Sequence, residues 1–519
     1  MEANRSGWRL ATATSVNASF RRSDPSRHAM ASWSRTRVVI RFYVWLLMTD
    51  HVNVAPQGVD IVVRGGWLLT MNPERDVYTN GFVAINGSKI VDVGTEEELA
   101  PRYTAERTIR ADQSIVIPGM INGHRHILST PRGASPEGLD TLGLVRRLFY
   151  PCYEALNEDD MHVFAIHHSA ELLRFGTTLF EEPGCTYLDA VVDGIASTGI
   201  RCRTGPWTWD HGGPSAGTIP TDWLKMTTAA AVKRLEEGIQ TVRSFGNPRI
   251  RDAVTIEGAG TCSDELNIAG ANLASDADSL FVLHKATSEY EVDLELAAFG
   301  HRPLEHMYRI GALNEHTFLN HMTSLELFEV DMVAETGARI SHNPSSALRL
   351  AKGTTQTGKW PELLEAGVPV ALGTDAENAS NYQDVVRAMH LAALLPRDAR
   401  HDPAIMPPEL ALEMATVGGA RAMRWDGEVG SIEVGKEADL VIFDTNDFDL
   451  RPLHNPITNL VYSATGHSVD TVIVGGDVLV RDKKLVHIDE GDIREQAAVI
   501  ERRILKELGV DVRPSWPVH

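Results

Sequence analysis

Apolar positions along the chain change period twice. From about residue 59, "VDIVVRGGWLLTM", "GFVAINGSKIVDVG" and "SIVIPG" are short β-rich runs broken by glycine turns, the pattern of a small sheet. Matching runs return late, as "GSIEVGKEADLVIFDT" and "VDTVIVGGDVLVRDKKLV". Between them, over residues 116–425, apolar strand-like runs alternate with amphipathic helical stretches, the β-α-β pattern of a parallel sheet or barrel. The length of that insert suits a (β/α)8 barrel. The predicted architecture is therefore α/β: a TIM barrel over residues 116–425 inserted in a small β-sandwich built from residues 48–115 and 426–490. Residues 491–519 follow as an amphipathic surface helix, "DIREQAAVIERRILKELGV", and a tail.

The first 47 residues break this pattern, with eight arginines against Glu2 and Asp24 and little apolar periodicity before "VVIRFYVWLL". That run is too short to span a bilayer and carries Arg41, and no A-x-A cleavage site follows. The leader is expected to be disordered or non-native, the product of a start assigned ahead of Met48, with a targeting segment as the alternative. A chain beginning at Met48 should keep its activity and melting temperature. Insoluble or inactive protein would place the leader within the fold.

The 519-residue chain is 43% hydrophobic, enough for a large core, and its formal net charge of -21 disfavours nucleic acid and anionic membranes as partners. A small molecule is the expected partner, and a homo-oligomer the expected assembly. Cys152, Cys185, Cys202 and Cys262 lie far apart with no C-x-x-C pair, so neither a disulfide framework nor a cysteine zinc site is suggested, and a cytoplasmic location fits.

Chemistry in a barrel of this kind belongs at the C-terminal ends of its strands. Four apolar runs end in histidines or an acid: "IVIPGMINGHRH", "LFVLHKATSEYEV", "HTFLNHMTSLE" and "VPVALGTDAEN". They supply His124 with His126, His284, His321 and Asp375. In extended backbone, residues i and i+2 face one side, so His124 and His126 can present both rings to one ion. Each signal has an ordinary explanation: H-x-H arises by chance, single strand-end histidines serve as core polar groups, and Asp375 could cap a helix. Their conjunction at successive strand exits is what favours a metal site. His167, His168 and His390 lie in helical patterns and need no ligand role.

The order H-x-H, H, H, D, together with "ISHNPSSALRLAKG", "LGTDAENASNYQD" and "GEVGSIEVGKEADLVIFD", resembles the metal-dependent amidohydrolase superfamily over about residues 59–490. Within it the chain is similar to cytosine- and guanine-type deaminases, S-adenosylhomocysteine deaminase and the s-triazine hydrolases, with phenylurea and molinate hydrolases as nearer candidates. The resemblance implies that His124, His126, His284 and Asp375 bind one divalent ion, Zn2+ first, with Fe2+, Co2+ or Mn2+ as alternatives. It places His321 beside the ion and makes Asp375 and His321 the catalytic pair. No lysine that could bridge two metals is evident in "DAVTIEGAG".

Two positions depart from the pattern. Deaminases of this branch carry H-x-x-E after the third histidine, where the glutamate protonates a ring nitrogen; here "HKAT" puts Thr287 there, and a hydroxyl cannot act as a carboxylic acid. Ala347 replaces the usual asparagine after "P-x-S". Glu289 or Glu291 could substitute for that glutamate, though as residues between strand and helix they are expected to be solvated. The leading expectation is therefore a mononuclear metal hydrolase cleaving an amide, urea or carbamate-like C–N bond, with a deaminase or dechlorinase of a nitrogen heterocycle as the alternative. A non-catalytic scaffold is disfavoured by the complete ligand set. Substrate contacts are expected from His321, Thr287, His342, Arg132 in "RGASPEGLDTLGLVRRLFYP", and Trp207 and Trp209 in a lid-like loop.

Overall fold

A computed structural model describes residues 55–127, 131–218, 225–514 and 516–518. The leader and positions 219–224 of the tryptophan loop lie outside the described residues. Eight buried strands run parallel in chain order: β1 (Met120–Asn122), β2 (Thr177–Glu181), β3 (Arg201–Thr204), β4 (Ile250–Gly258), β5 (Leu280–Lys285), β6 (Thr317–His321), β7 (Arg339–His342) and β8 (Val370–Leu372). Covered on both faces, they are buried almost throughout, and the polar residues they carry, such as Arg201, Arg203 and Glu181, are buried with them.

Bonds at the seam between β1 and β8 bring the ends of the barrel together. Gly123 N donates to Leu372 O at 2.7 Å, and Thr374 N and Asp375 N both donate to His124 O, at 3.1 and 2.8 Å. Gly123 permits this approach, since a Cβ there would stand 2.5 Å from Ala371 Cβ. The closure thus joins the two segments carrying His124 and Asp375.

Inward residues at the opposite end form an apolar floor: Ile121, Leu179, Ala253, Leu280, Val282, Phe318 and Ala371 pack with Met423 and Trp425. This fills one mouth and leaves the C-terminal mouth for chemistry. Three helices matter for the site. The helix α1 (Glu158–Arg174) starts in a capping box between Asn157 and Asp160, with three acids in its first turn against the helix dipole. Ser288 caps α2 (Glu289–Phe299), and Gly300 ends it in the left-handed region. The C-terminal α3 (Glu490–Leu508) packs along α1.

The small β domain uses both ends of the chain. Ser114–Pro118 pairs antiparallel with Leu440–Asp444 in a seven-stranded sheet, and a four-stranded sheet packs over it through Ile61, Val63, Val83, Val116, Leu440 and Ile473. All four cysteines are buried and free. Among the described residues no helix is long and apolar enough to cross a membrane.

Candidate metal centre

Regular alternation along β5 turns Leu280 and Val282 into the barrel, and His284 continues that face to the strand exit. On β6 the same alternation would turn Phe318 and Asn320 inward and His321 away. Positive φ at His321 (82°) and Met322 (47°) breaks the strand, and the His321 ring lies 5.0 Å from His124 and 5.4 Å from His284, centroid to centroid. Asp375 is also left-handed, with φ 63°. Non-glycine residues held there carry local strain, which concentrates at functional sites. The short helix after Asp375 begins at Ala376 with no side-chain cap, so Asp375 does not cap it.

His124, His126, His284, His321 and Asp375 therefore meet at one point. Asp375 Oδ1 lies 3.6 Å from His124 Nε2 and 3.9 Å from His126 Nε2, and Asp375 Oδ2 lies 3.9 Å from His321 Nε2. His126 Nε2 faces His284 Nε2 at 3.3 Å. Burial lowers His124 to about 4 and pushes His126 and His321 well below the usual histidine range, so the rings are neutral. Burial opposes ionisation of Asp375, but the polar ring of His124 at 3.6 Å, with His321 and Lys352, holds it well below the carboxylate range.

Partners on the far side of each ring separate ligands from donors. Nδ1 of His284 donates to Glu257 O at 2.8 Å, which leaves Nε2 bare and aimed at the centre. Nδ1 of His124 lies 3.4 Å from Glu181 Oε2, and its buried Nε2 has no partner within hydrogen-bond distance among the described residues. Both arrangements suit a cation at the centre. His321 is the reverse: Asn343 Nδ2 and Lys352 Nζ approach its Nδ1 at 3.2 and 3.4 Å, so Nδ1 accepts and Nε2 carries the proton. The donor set fits one divalent ion bound by His124, His126, His284 and Asp375, with His321 as a hydrogen-bond donor beside it.

Above the cluster lies a cavity of ≈ 130 Å³. Leu142, Leu144, Phe149 and Leu350 give it an apolar wall, and Thr287, Glu291 and Lys352 supply polar groups opposite. The segment following β1 thus reaches the cavity through Thr141–Phe149, not through Arg132. Arg132 instead binds Glu171 (2.6 and 2.8 Å) and Glu377 (2.6 Å) and lines a separate pocket, because those two carboxylates hold its guanidinium. Trp207 and Trp209 are fully buried behind the cavity against Tyr150 and Tyr153 and do not line it. His342 stacks on Trp360 at 3.7 Å, away from the cluster.

Glu291 departs most from expectation. It is buried, not solvated, because α2 folds its first turn back over the β5 exit. Its carboxylate accepts from Ala286 N (3.1 Å), Thr287 N (2.7 Å) and Thr287 Oγ1 (2.9 Å). Burial raises Glu291 to about 7, against the lowering effect of Lys285. Glu289, by contrast, is exposed. Sequence reasoning also missed Glu181 and Lys352. The acids in "GTTLFEEPG" mark the β2 exit and could have signalled Glu181; Lys352 lies in "ISHNPSSALRLAKG", which could have signalled it.

Similarity to known proteins agrees with this geometry. The sequence model of the Amidohydrolase family matches residues 115–479. A 5-methylthioadenosine/S-adenosylhomocysteine deaminase of Syntrophobacter fumaroxidans is 32% identical over 447 residues, covering 86% of this chain and 98% of that protein. A 5'-deoxyadenosine deaminase of Methanothermobacter thermautotrophicus is 34% identical over 452 residues, covering 86% and 98%. The crystal structure of an adenosine deaminase from Xanthomonas campestris with bound zinc superposes with a TM-score of 0.80 at 27% identity, covering 87% of this chain and 100% of that one.

Proposed function

This chain belongs to the amidohydrolase family, a metal-dependent hydrolase acting on C–N bonds, and from that premise we propose that it removes the exocyclic amino group of an adenine-nucleoside-like heterocycle. The deaminase names of its relatives support this reading over amide or urea hydrolysis. The observation that carries it is the Glu291–Thr287 pair in the same cavity as the histidine cluster. Thr287 stands where related deaminases place an acid, and Glu291 returns a carboxyl to that point through the Thr287 hydroxyl.

A zinc ion held by His124, His126, His284 and Asp375 supplies, when bound, the Lewis acidity that makes water a nucleophile near neutral pH. Asp375 is the base that takes the first proton from the attacking water. His321, held in its Nε2–H form by Lys352 and Asn343, donates to the oxygen that joins the amino-bearing carbon. Once protonated, Glu291 turns its O–H towards Thr287 Oγ1, reversing the bond that the carboxylate form accepts, and Thr287 Oγ1–H passes a proton to the neighbouring ring nitrogen; the proton of the newly added hydroxyl returns along the same path to Glu291, while Asp375 gives its proton to the departing amine. Over the cycle, the two protons of water end on the ring nitrogen and the departing amine; the C–N bond breaks, ammonia leaves and the ring keeps an oxo group. The apolar wall from Leu142 to Phe149 receives the face of the base and the 5' substituent.

A second reading keeps one specific support: Thr287 itself is no acid, which suits an amide or urea whose leaving amine needs less help. Both are tested by assaying ammonia against substituted-amine release on adenosine, 5'-deoxyadenosine, 5'-methylthioadenosine, S-adenosylhomocysteine and a panel of anilides and phenylureas. Ammonia from the nucleosides is the expected result. Inert nucleosides with turnover of the ureas would transfer the site to the second reading.

A further inference from the structure

A second cavity, of ≈ 240 Å³, lies between α1, α3 and the segment that carries Arg132. It shares no lining residue with the catalytic cavity. Arg132, Arg174 and Arg494 line it, with His167 and His467 between them; the acids on its wall are Glu171 and Glu490. In a chain of net charge -21, three arginines converging on one cavity are an exception to the surrounding field.

The arginines are only partly matched. Glu171 takes Arg132, which is shared with Glu377 behind it. Glu490 is the carboxylate for both others, at 3.5 Å from Arg174 Nε and 3.7 Å from Arg494 Nη2. Arg174 Nη1 and His167 Nδ1 are buried with no hydrogen-bond partner among the described residues. Buried donors without acceptors are costly, and a guanidinium fork is best answered by a planar or tetrahedral oxyanion. A cation is excluded: the nearby grouping of His168, Glu171 and Glu377 has the spacing of a metal site, yet Arg132 binds both of its acids and the Arg125 guanidinium lies 3.7 Å from Glu377.

We propose that this cavity binds a phosphate dianion, with the unpartnered Arg174 Nη1 and the forks of Arg132 and Arg494 as its donors and the unpartnered His167 ring beside them. The cavity exceeds a bare phosphate, so the group can be free or carried on a small sugar.

Calorimetric titration of inorganic phosphate and of ribose 5-phosphate into the metal-loaded full chain, at ionic strength matched with chloride, tests this. One saturable site per chain is expected, and the tighter of the two ligands identifies the source. Arg174→Gln and Arg494→Glu should each weaken binding roughly ten- to a hundredfold, the worth of a charge-assisted bond. The Arg494 side chain is 66% exposed, so its variant keeps the test alive should Arg174→Gln fail to fold. Binding should persist in His126→Ala, which lacks a complete metal centre. Failure of either ligand to bind above the chloride control, unchanged affinity in Arg494→Glu, or loss of binding in His126→Ala would each overturn the proposal. The first two outcomes leave the deaminase reading untouched, and the third assigns the phosphate to the metal.

Discussion

Replacing His126 or Asp375 by alanine is expected to abolish turnover and to strip most of the bound metal from the protein. In the proposed centre each residue is one of four protein ligands, and Asp375 is the single carboxylate among them. Loss of Asp375 also removes the base that takes the proton from water, so His126→Ala and Asp375→Ala should differ when excess zinc is supplied. Added zinc restores some activity to His126→Ala, where three ligands remain and carry the chemistry, and none to Asp375→Ala. Metal content by atomic emission and ammonia release with and without added zinc check both variants. Full metal content with near-normal rates in either variant would end the assignment of the centre. Neither change should unfold the barrel, because the seam beside these residues is held by backbone bonds at His124 O that no side chain supplies.

Glu291→Gln should lower kcat by about a hundredfold to ten-thousandfold, the cost of removing a positioned acid. Glutamine with its oxygen in the Oε2 place keeps the two bonds from Thr287 and loses the one from Ala286 N, but it cannot release a proton. The pH dependence gives the sharper readout. Burial raises Glu291 to about 7, so its carboxyl holds a proton below that pH and loses it as pH climbs through it. If the protonated form is the working acid, kcat falls on the alkaline side of about 7 in the parent, and that limb is missing in Glu291→Gln. Thr287→Ala, which breaks the path between Glu291 and the ring nitrogen, should reproduce much of the loss, while Thr287→Ser restores it. A Glu291→Gln enzyme with near-parent kcat and the same alkaline limb would mean that the carboxylate only holds the turn before α2 and that the proton comes from elsewhere.

Much of the site was legible in the residue order because barrel chemistry is tied to strand ends. An apolar run that stops at histidine or aspartate marks both a strand and its exit, so His124, His126, His284, His321 and Asp375 could be read before any of them was seen to meet. The i, i+2 spacing at His124 is a property of extended backbone and needs no partner. At His321 the same rule would point the ring away, and its inward position depends on a left-handed residue that no periodicity announces.

Arg132 and Glu291 show the reverse. As sequence, Arg132 is a free cation near a strand exit and Glu291 an acid in the first turn of a helix, where solvent is the ordinary surrounding. Their fates turned on groups far along the chain or folded back upon it: Glu171 and Glu377 draw Arg132 out of the catalytic cavity, and α2 buries Glu291 against the β5 exit. The tautomers belong to the same class, since Glu257 O, Asn343 and Lys352 decide which nitrogen of His284 and His321 is bare. Periodicity along one chain specifies which face of an element is buried. Sequence alone therefore determined the barrel, its split β domain and the strand-end histidines and aspartate that cluster at one mouth; protonation, the acid and the direction of each charged side chain were decided only when the barrel closed, because electrostatics depends on distances between segments and on the water that closure excludes.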